Sequence, residues 1–88
     1  MYIAFYKASW CSGCKVLDEM LKNTTLPYPL ITIDIDKNPE LAAQRFATEI
    51  PTLMLIYGDT VVARRSGSFT DLDLKLFLDE GRMFNETC

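Results

Sequence analysis

Two cysteines one helical turn apart, Cys11 and Cys14, stand where a short apolar run gives way to a helical pattern. The run at residues 2–8 is rich in aromatic and β-branched side chains, which predicts a buried strand. After it, apolar residues recur on one face of a helix predicted from Gly13 onward, namely Val16, Leu17, Met20 and Leu21. Cys11 is therefore predicted at a helix N-terminus, where unpaired backbone N–H groups and the helix dipole favour an anion such as a thiolate.

A cysteine pair with this spacing occurs in zinc sites, in structural disulfides and in reactive dithiols. The chain has three cysteines and no histidine, so the commonest zinc co-ligand and the commonest general base are both missing. No apolar run is long enough to cross a bilayer, and residues 1–6 are too short for a secretory leader. The sequence thus predicts a cytoplasmic protein. In that compartment a close cysteine pair points to catalysis or metal binding.

The middle of the chain predicts a second strand at residues 30–35 and a second helix that begins at Asn38 and Pro39. The buried stripe of that helix would be Leu41, Ala42 and Phe46, and residues 48–51 would end it. Two further strands, at residues 52–57 and 60–65, flank Gly58 and Asp59, a two-residue glycine turn typical of a hairpin.

The last helix is predicted to be capped by Thr70, with Asp71 and Asp73 in its first turn, and to end at Gly81. The resulting order, β-α-β-α-β-β-α, predicts an α/β fold with a four-stranded mixed sheet flanked by three helices. One domain is expected at residues 1–81, followed by a short tail at 82–88 that carries Cys88 as a free thiol. The net charge of −3 is scattered and leaves no basic stripe, so no nucleic acid is predicted as a partner. No membrane is predicted as a partner either, because no apolar run is long enough to span a bilayer. A monomer is expected.

Four groups of residues resemble the markers of the thioredoxin family. They are Trp10-Cys11-Ser12-Gly13-Cys14-Lys15, Ile35-Asp36-x-Asn38-Pro39, Ile50-Pro51-Thr52 and Gly67. These groups follow the family order from the first strand to the last helix. The first strand and helix of a full-length member are expected to be missing, which leaves a core of glutaredoxin size that would suit a phage or small bacterial protein.

The resemblance implies a thioredoxin-like fold and a protein-disulfide reductase whose catalytic residues, Cys11 and Cys14, form a reversible disulfide. The substrate-binding residues that it implies are Trp10, Ser12, Gly13, Ile50, Pro51 and Gly67. It also implies a cis Ile50–Pro51 bond beside the cysteines, with a substrate segment pairing to the backbone just before the proline. No cofactor or metal is implied. Electrons would come from thioredoxin reductase and NADPH or from glutathione, and the clients would be disulfide-containing proteins such as ribonucleotide reductase.

The chain departs from the family pattern at two places. Thioredoxins usually keep a buried aspartate six residues before the first cysteine, paired with a lysine on the neighbouring strand, and these positions hold Phe5 and Thr32. The proton acceptor for Cys14 is therefore unassigned. Ser12 and Gly13 replace the family's Gly-Pro between the cysteines. In the family, this dipeptide helps to set the reduction potential of the cysteine pair.

Three other interpretations stay open at this stage. A glutaredoxin-like, glutathione-dependent reductase fits the size and the missing acid, and residues 66–71 offer part of a glutathione-binding motif. A thioredoxin-fold accessory subunit would bind a partner without redox chemistry. A zinc site would need carboxylates to complete the ligands of the three cysteines.

Overall fold

The computed structural model describes residues 1–45, 49–67 and 69–87. Its strands are β1 (Tyr2–Lys7), β2 (Leu30–Asp34), β3 (Thr52–Tyr57) and β4 (Thr60–Ser66), and its helices are α1 (Ser12–Lys22), α2 (Pro39–Gln44) and α3 (Asp71–Thr87). The predicted order of elements is confirmed. The predictions made for Phe46, Thr48, Ser68 and Cys88 lie outside the described residues.

The four strands form one mixed sheet in the order β2-β1-β3-β4. β1 runs parallel to β2 and antiparallel to β3, and β3 and β4 form the predicted hairpin, with Gly58 at a φ of 61° in its turn. A parallel pair needs a crossover, which α1 supplies, whereas the antiparallel pair needs only a tight turn. The predicted mixed sheet and the predicted hairpin are thus confirmed.

Both faces of the central strands are covered, because β1 and β3 are buried on each side. Ile3 and Phe5 point to the face that α1 and α3 cover, where Leu17 and Phe77 belong to the same core cluster. Alternate residues of β1 point to the opposite face and pack in a second cluster with Ala42 of α2. Cys11 and Cys14 belong to the first cluster, so the core beneath α1 supports both thiols.

Two of the differences from the sequence prediction concern Gly81 and Leu41. Gly81 does not end the last helix, because α3 continues through it to Thr87. Gly81 is buried, and a Cβ placed there would lie 2.7 Å from Leu55 Cδ1. The glycine therefore allows close packing of α3 on the sheet instead of ending the helix. Leu41 is the second difference, since it is exposed while Ala42 is buried.

The N-terminus of α3 carries the capping box that the sequence predicts. The Asp73 carboxylate accepts the Thr70 backbone N–H at 2.9 Å, and the Thr70 hydroxyl accepts the Asp73 N–H at 3.1 Å. The hydrogen bonds from the Thr70 N–H and then from its side chain hold the pKa of Asp73 below its usual value.

We expect Asp73→Asn to destabilise the protein near pH 7 and to lose this effect in acid. The folded-state pKa of Asp73 is lowered, so its contribution is present above the unfolded pKa, about 4, and is lost as the pH falls. Urea unfolding at pH 7 and near pH 3 measures the change. Thr70→Ala is the comparison variant, because it removes a neutral hydroxyl cap and not an ionised group. Its loss should cost about 1 kcal/mol at pH 7. An equal effect of Asp73→Asn at both pH values would contradict this account.

Candidate functional site

Cys11 forms the junction between β1 and α1. Its backbone N–H donates to the Ala8 carbonyl at 3.2 Å, which closes the turn after the strand. Cys11 is the N-cap of α1, and its Sγ accepts the backbone N–H of Cys14 at 3.1 Å. A sulfur in this position receives both a hydrogen bond and the positive end of the helix dipole, and both favour a thiolate over a thiol.

Cys11 and Cys14 are joined by a disulfide, with their Cα atoms 5.2 Å apart. Their environments differ. Cys11 retains 8% of its surface exposed, whereas Cys14 retains 1% and lies in the core cluster beneath α1. The outer cysteine is thus the one that another molecule can reach more readily.

The loop before β3 lies against the cysteine loop. The Ile50–Pro51 bond is cis, as the resemblance implied. A Cβ placed on Gly13 would lie 3.5 Å from Pro51 Cδ, so the first turn of α1 lies close to the proline loop. Gly67, with a φ of 86°, donates its N–H to the Pro51 carbonyl at 3.0 Å. A positive φ favours glycine, and the end of β4 is thereby fixed to the proline loop.

A shallow depression of about 430 Å³, here called the outer groove, opens beside Cys11. The residues around it come from the start of α1 and the loop before it, from the loop before β3 and from the end of β4, and they are Trp10, Cys11, Ser12, Gly13, Ile50, Pro51 and Gly67. The structure therefore brings all six predicted substrate-binding residues together with the outer cysteine. Cys14 lines a different cavity.

Trp10 projects from the cysteine loop and is 68% exposed. Its indole Nε1–H donates to Asp36 Oδ2 at 2.9 Å. Asp36 in turn is positioned by Asp34, whose Oδ1 accepts the Asp36 backbone N–H at 2.9 Å. Asp36 is not among the predicted site residues, although its place just after β2 in a family marker is a signal that could have identified it.

The second cavity, here called the inner cavity, has a volume of about 530 Å³ and shares no lining residue with the outer groove. Cys14 and Ala8 form part of its wall. The charged residues that line it come from β1, α1 and β2 and are Lys7, Lys15, Asp18, Glu19 and Asp34. This cluster could not be predicted from the sequence, because its members are spread over three elements.

Phe5 and Thr32 are confirmed as neighbours on the parallel strands β1 and β2. Phe5 is fully buried in the core cluster that contains Cys14. An apolar ring therefore stands where the family pattern has a buried carboxylate. Over the described ranges, no group of three or more Cys, His, Asp or Glu side chains is placed to bind a metal ion. The described helices also include none that is long and apolar enough to cross a membrane.

Comparison with known proteins gives consistent matches. The family model described as Thioredoxin matches residues 1–80. The thioredoxin of Buchnera aphidicola subsp. Acyrthosiphon pisum is 34% identical over 83 residues, which cover 90% of this chain and 77% of that protein. Thioredoxin 1 of Thermosipho africanus shares the fold with a TM-score of 0.74 at 22% identity, covering 99% of this chain and 97% of that one. Fasciola hepatica thioredoxin matches with a TM-score of 0.76 at 26% identity, covering 92% and 78% of the two chains.

Proposed function

Since this chain belongs to the thioredoxin family and is a thiol-disulfide oxidoreductase with a cysteine pair at Cys11 and Cys14, we propose that it acts as a protein-disulfide reductase. Cys11 is the attacking nucleophile in this proposal, and Cys14 resolves the intermediate. The observation that carries it is the asymmetry of the pair: Cys11 faces the outer groove at a helix N-terminus, whereas Cys14 is buried behind it.

The first step is attack of the Cys11 thiolate on one sulfur of a substrate disulfide. A bond forms between Cys11 Sγ and that sulfur, the substrate S–S bond breaks, and the second substrate sulfur leaves with the electron pair. The hydrogen bond from the Cys14 N–H and the helix dipole support the thiolate before attack. The product is a mixed disulfide between Cys11 and the substrate.

The second step is attack of Cys14 on Cys11 Sγ. The mixed disulfide breaks, the substrate leaves as a dithiol after protonation, and the Cys11–Cys14 disulfide remains. The 5.2 Å separation of the two Cα atoms supports this step without a large backbone movement.

Substrate recognition is assigned to the outer groove. Trp10 and Ile50 offer apolar contact surface, and Ser12 and Gly13 lie beside the reacting sulfur. We assign the Ile50 backbone to main-chain pairing with an extended substrate segment, which makes recognition tolerant of substrate sequence. The clients in this proposal are disulfide-containing proteins, with ribonucleotide reductase as one candidate. A reductant of this kind requires a reducing compartment, so a cytoplasmic location is part of the proposal.

We expect turnover with NADPH and thioredoxin reductase as the electron source. The assay follows NADPH oxidation in the presence of insulin as the disulfide substrate, and a parallel assay supplies glutathione and glutathione reductase. Turnover at least about tenfold faster with thioredoxin reductase supports the proposal, and the reverse ratio would favour the glutaredoxin-like alternative. Failure of both donors, with a partner still bound, would favour the accessory-subunit alternative.

A further inference from the structure

The burial of Cys14 raises a question about the second step of the proposed reduction. Cys14 is almost fully buried and shares a core cluster with Phe5, Leu17 and Phe77. Apolar surroundings disfavour a thiolate, because desolvation penalises the charged form. Resolution nevertheless requires Cys14 to react as a thiolate. Some other feature near this sulfur must offset the cost of the charge.

Charged groups from the surrounding elements line the inner cavity together with Cys14. They are Lys7 on β1, Asp34 at the end of β2, and Lys15, Asp18 and Glu19 on α1. Two of the carboxylates have partners of their own. Asp18 forms an ion pair with Lys22 at 3.2 Å, and Asp34 Oδ1 accepts the Asp36 N–H at 2.9 Å. Glu19 and Lys15 are exposed.

Lys7 is the partly buried cation of this cavity. Side chains alternate along a strand, so Lys7 lies on the same face of β1 as Ile3 and Phe5, the face that α1 covers. Its ammonium nitrogen lies 5.8 Å from the centroid of the Phe5 ring. Phe5 and Cys14 belong to one core cluster, and Lys7 and Cys14 line one cavity. Lys7 therefore lies at the cavity that Cys14 lines, which is separate from the outer groove.

We propose that Lys7 is a positioning residue for the second step, whose ammonium group stabilises the Cys14 thiolate that attacks the mixed disulfide. This inference rests on the proposed function. The Cys14 proton passes to water entering the inner cavity. The thiolate then forms a bond with Cys11 Sγ, the bond from Cys11 to the substrate sulfur breaks, and that sulfur leaves with the electron pair and is protonated by water. Two substrate thiols and the Cys11–Cys14 disulfide result. Lys7 thereby stabilises the thiolate of Cys14, as the N-terminus of α1 stabilises the thiolate of Cys11.

The experiment follows the ionisation of Cys14 directly. In a Cys11→Ser, Cys88→Ser background, Cys14 is the remaining thiol, and its thiolate absorbance near 240 nm is measured against pH. The same variant with Cys14→Ser is subtracted to remove the tyrosine contribution. We expect Lys7→Met and Lys7→Gln to raise the pH of half-ionisation by about one unit, and Lys7→Arg to leave it nearly unchanged.

Lys75→Met is the matched control, because Lys75 is an exposed lysine on α3 that lines a separate cavity. It makes the same change in net charge and should not move the titration. Lys7 is replaced by two neutral residues of different polarity, and circular dichroism checks that each variant folds. If one variant folds poorly, the titration of the other decides the outcome. Unchanged half-ionisation in a folded neutral variant, or an equal shift in Lys75→Met, would overturn the proposal.

A second measurement follows turnover against pH in the chain with all its cysteines. The neutral Lys7 variants should reduce disulfides about tenfold more slowly near pH 7 and recover at higher pH. The titration needs no substrate or electron donor. If the titration shifts while the parent protein shows no turnover, the effect of Lys7 on Cys14 ionisation stands, but the proposed function fails and the role of Lys7 in the second step fails with it. If turnover is normal and the titration does not shift, the role of Lys7 fails alone.

Discussion

Replacing Cys11 with serine should abolish disulfide reduction, with turnover falling by roughly a thousandfold or more. Serine keeps the size of the side chain and can still accept the Cys14 N–H, so the N-cap of α1 is retained. An alcohol at this position is not ionised near neutral pH and does not exchange with disulfides. The loss should therefore appear in the rate and leave the unfolding midpoint of the reduced protein nearly unchanged. Insulin reduction with NADPH and thioredoxin reductase measures the rate.

The matched variant for this prediction is Cys14→Ser, which should also stop turnover but at a later stage. Cys11 can still attack, and without the resolving thiol the mixed disulfide accumulates. Mass spectrometry should detect a covalent adduct at Cys11 that a small thiol releases, and Cys11→Ser should form none at that position. Cys88→Ser serves as the control for the third cysteine and should retain full turnover. Retained turnover in either single active-site variant would refute the assigned roles.

Much of the fold could be predicted because its signals are local. The hairpin follows from Gly58 between two apolar runs, and the start of α3 follows from a capping box within four residues of chain. Helix ends and buried helix faces that depend on tertiary packing were harder to predict from the sequence. A glycine at this position is typical of a helix end, yet Gly81 lies inside α3. A glycine is needed there for packing, because a larger side chain would meet Leu55. Val16 was predicted on the buried face of α1 but is exposed, since the buried stripe follows Cys14, Leu17 and Leu21.

The candidate site likewise contains residues that short motifs mark and residues that only tertiary packing brings together. Cys11, Cys14 and Pro51 could be selected from the sequence, because short motifs mark them. The hydrogen bond between Trp10 and Asp36 could not, since it joins residues 26 positions apart whose approach depends on the pairing of β1 with β2. The inner cavity was missed for the same reason. Lys7 becomes relevant to Cys14 only when the alternation of β1 and the packing of α1 are both known.

Phe77→Ala should strongly destabilise the core that supports the cysteines. Phe77 is 0% exposed and belongs to the same cluster as Phe5 and Cys14. Removing a buried phenyl ring loses its transfer free energy and leaves a cavity, which together cost about 3–5 kcal/mol. The total stability of a small domain is about 5–15 kcal/mol, so this loss is a large part of it.

Leu76 is 48% exposed on the same helix, and Leu76→Ala should cost below about 1 kcal/mol. Urea unfolding of both variants in the oxidised and reduced states tests the comparison, and equal losses would mean that α3 does not pack on the sheet as described.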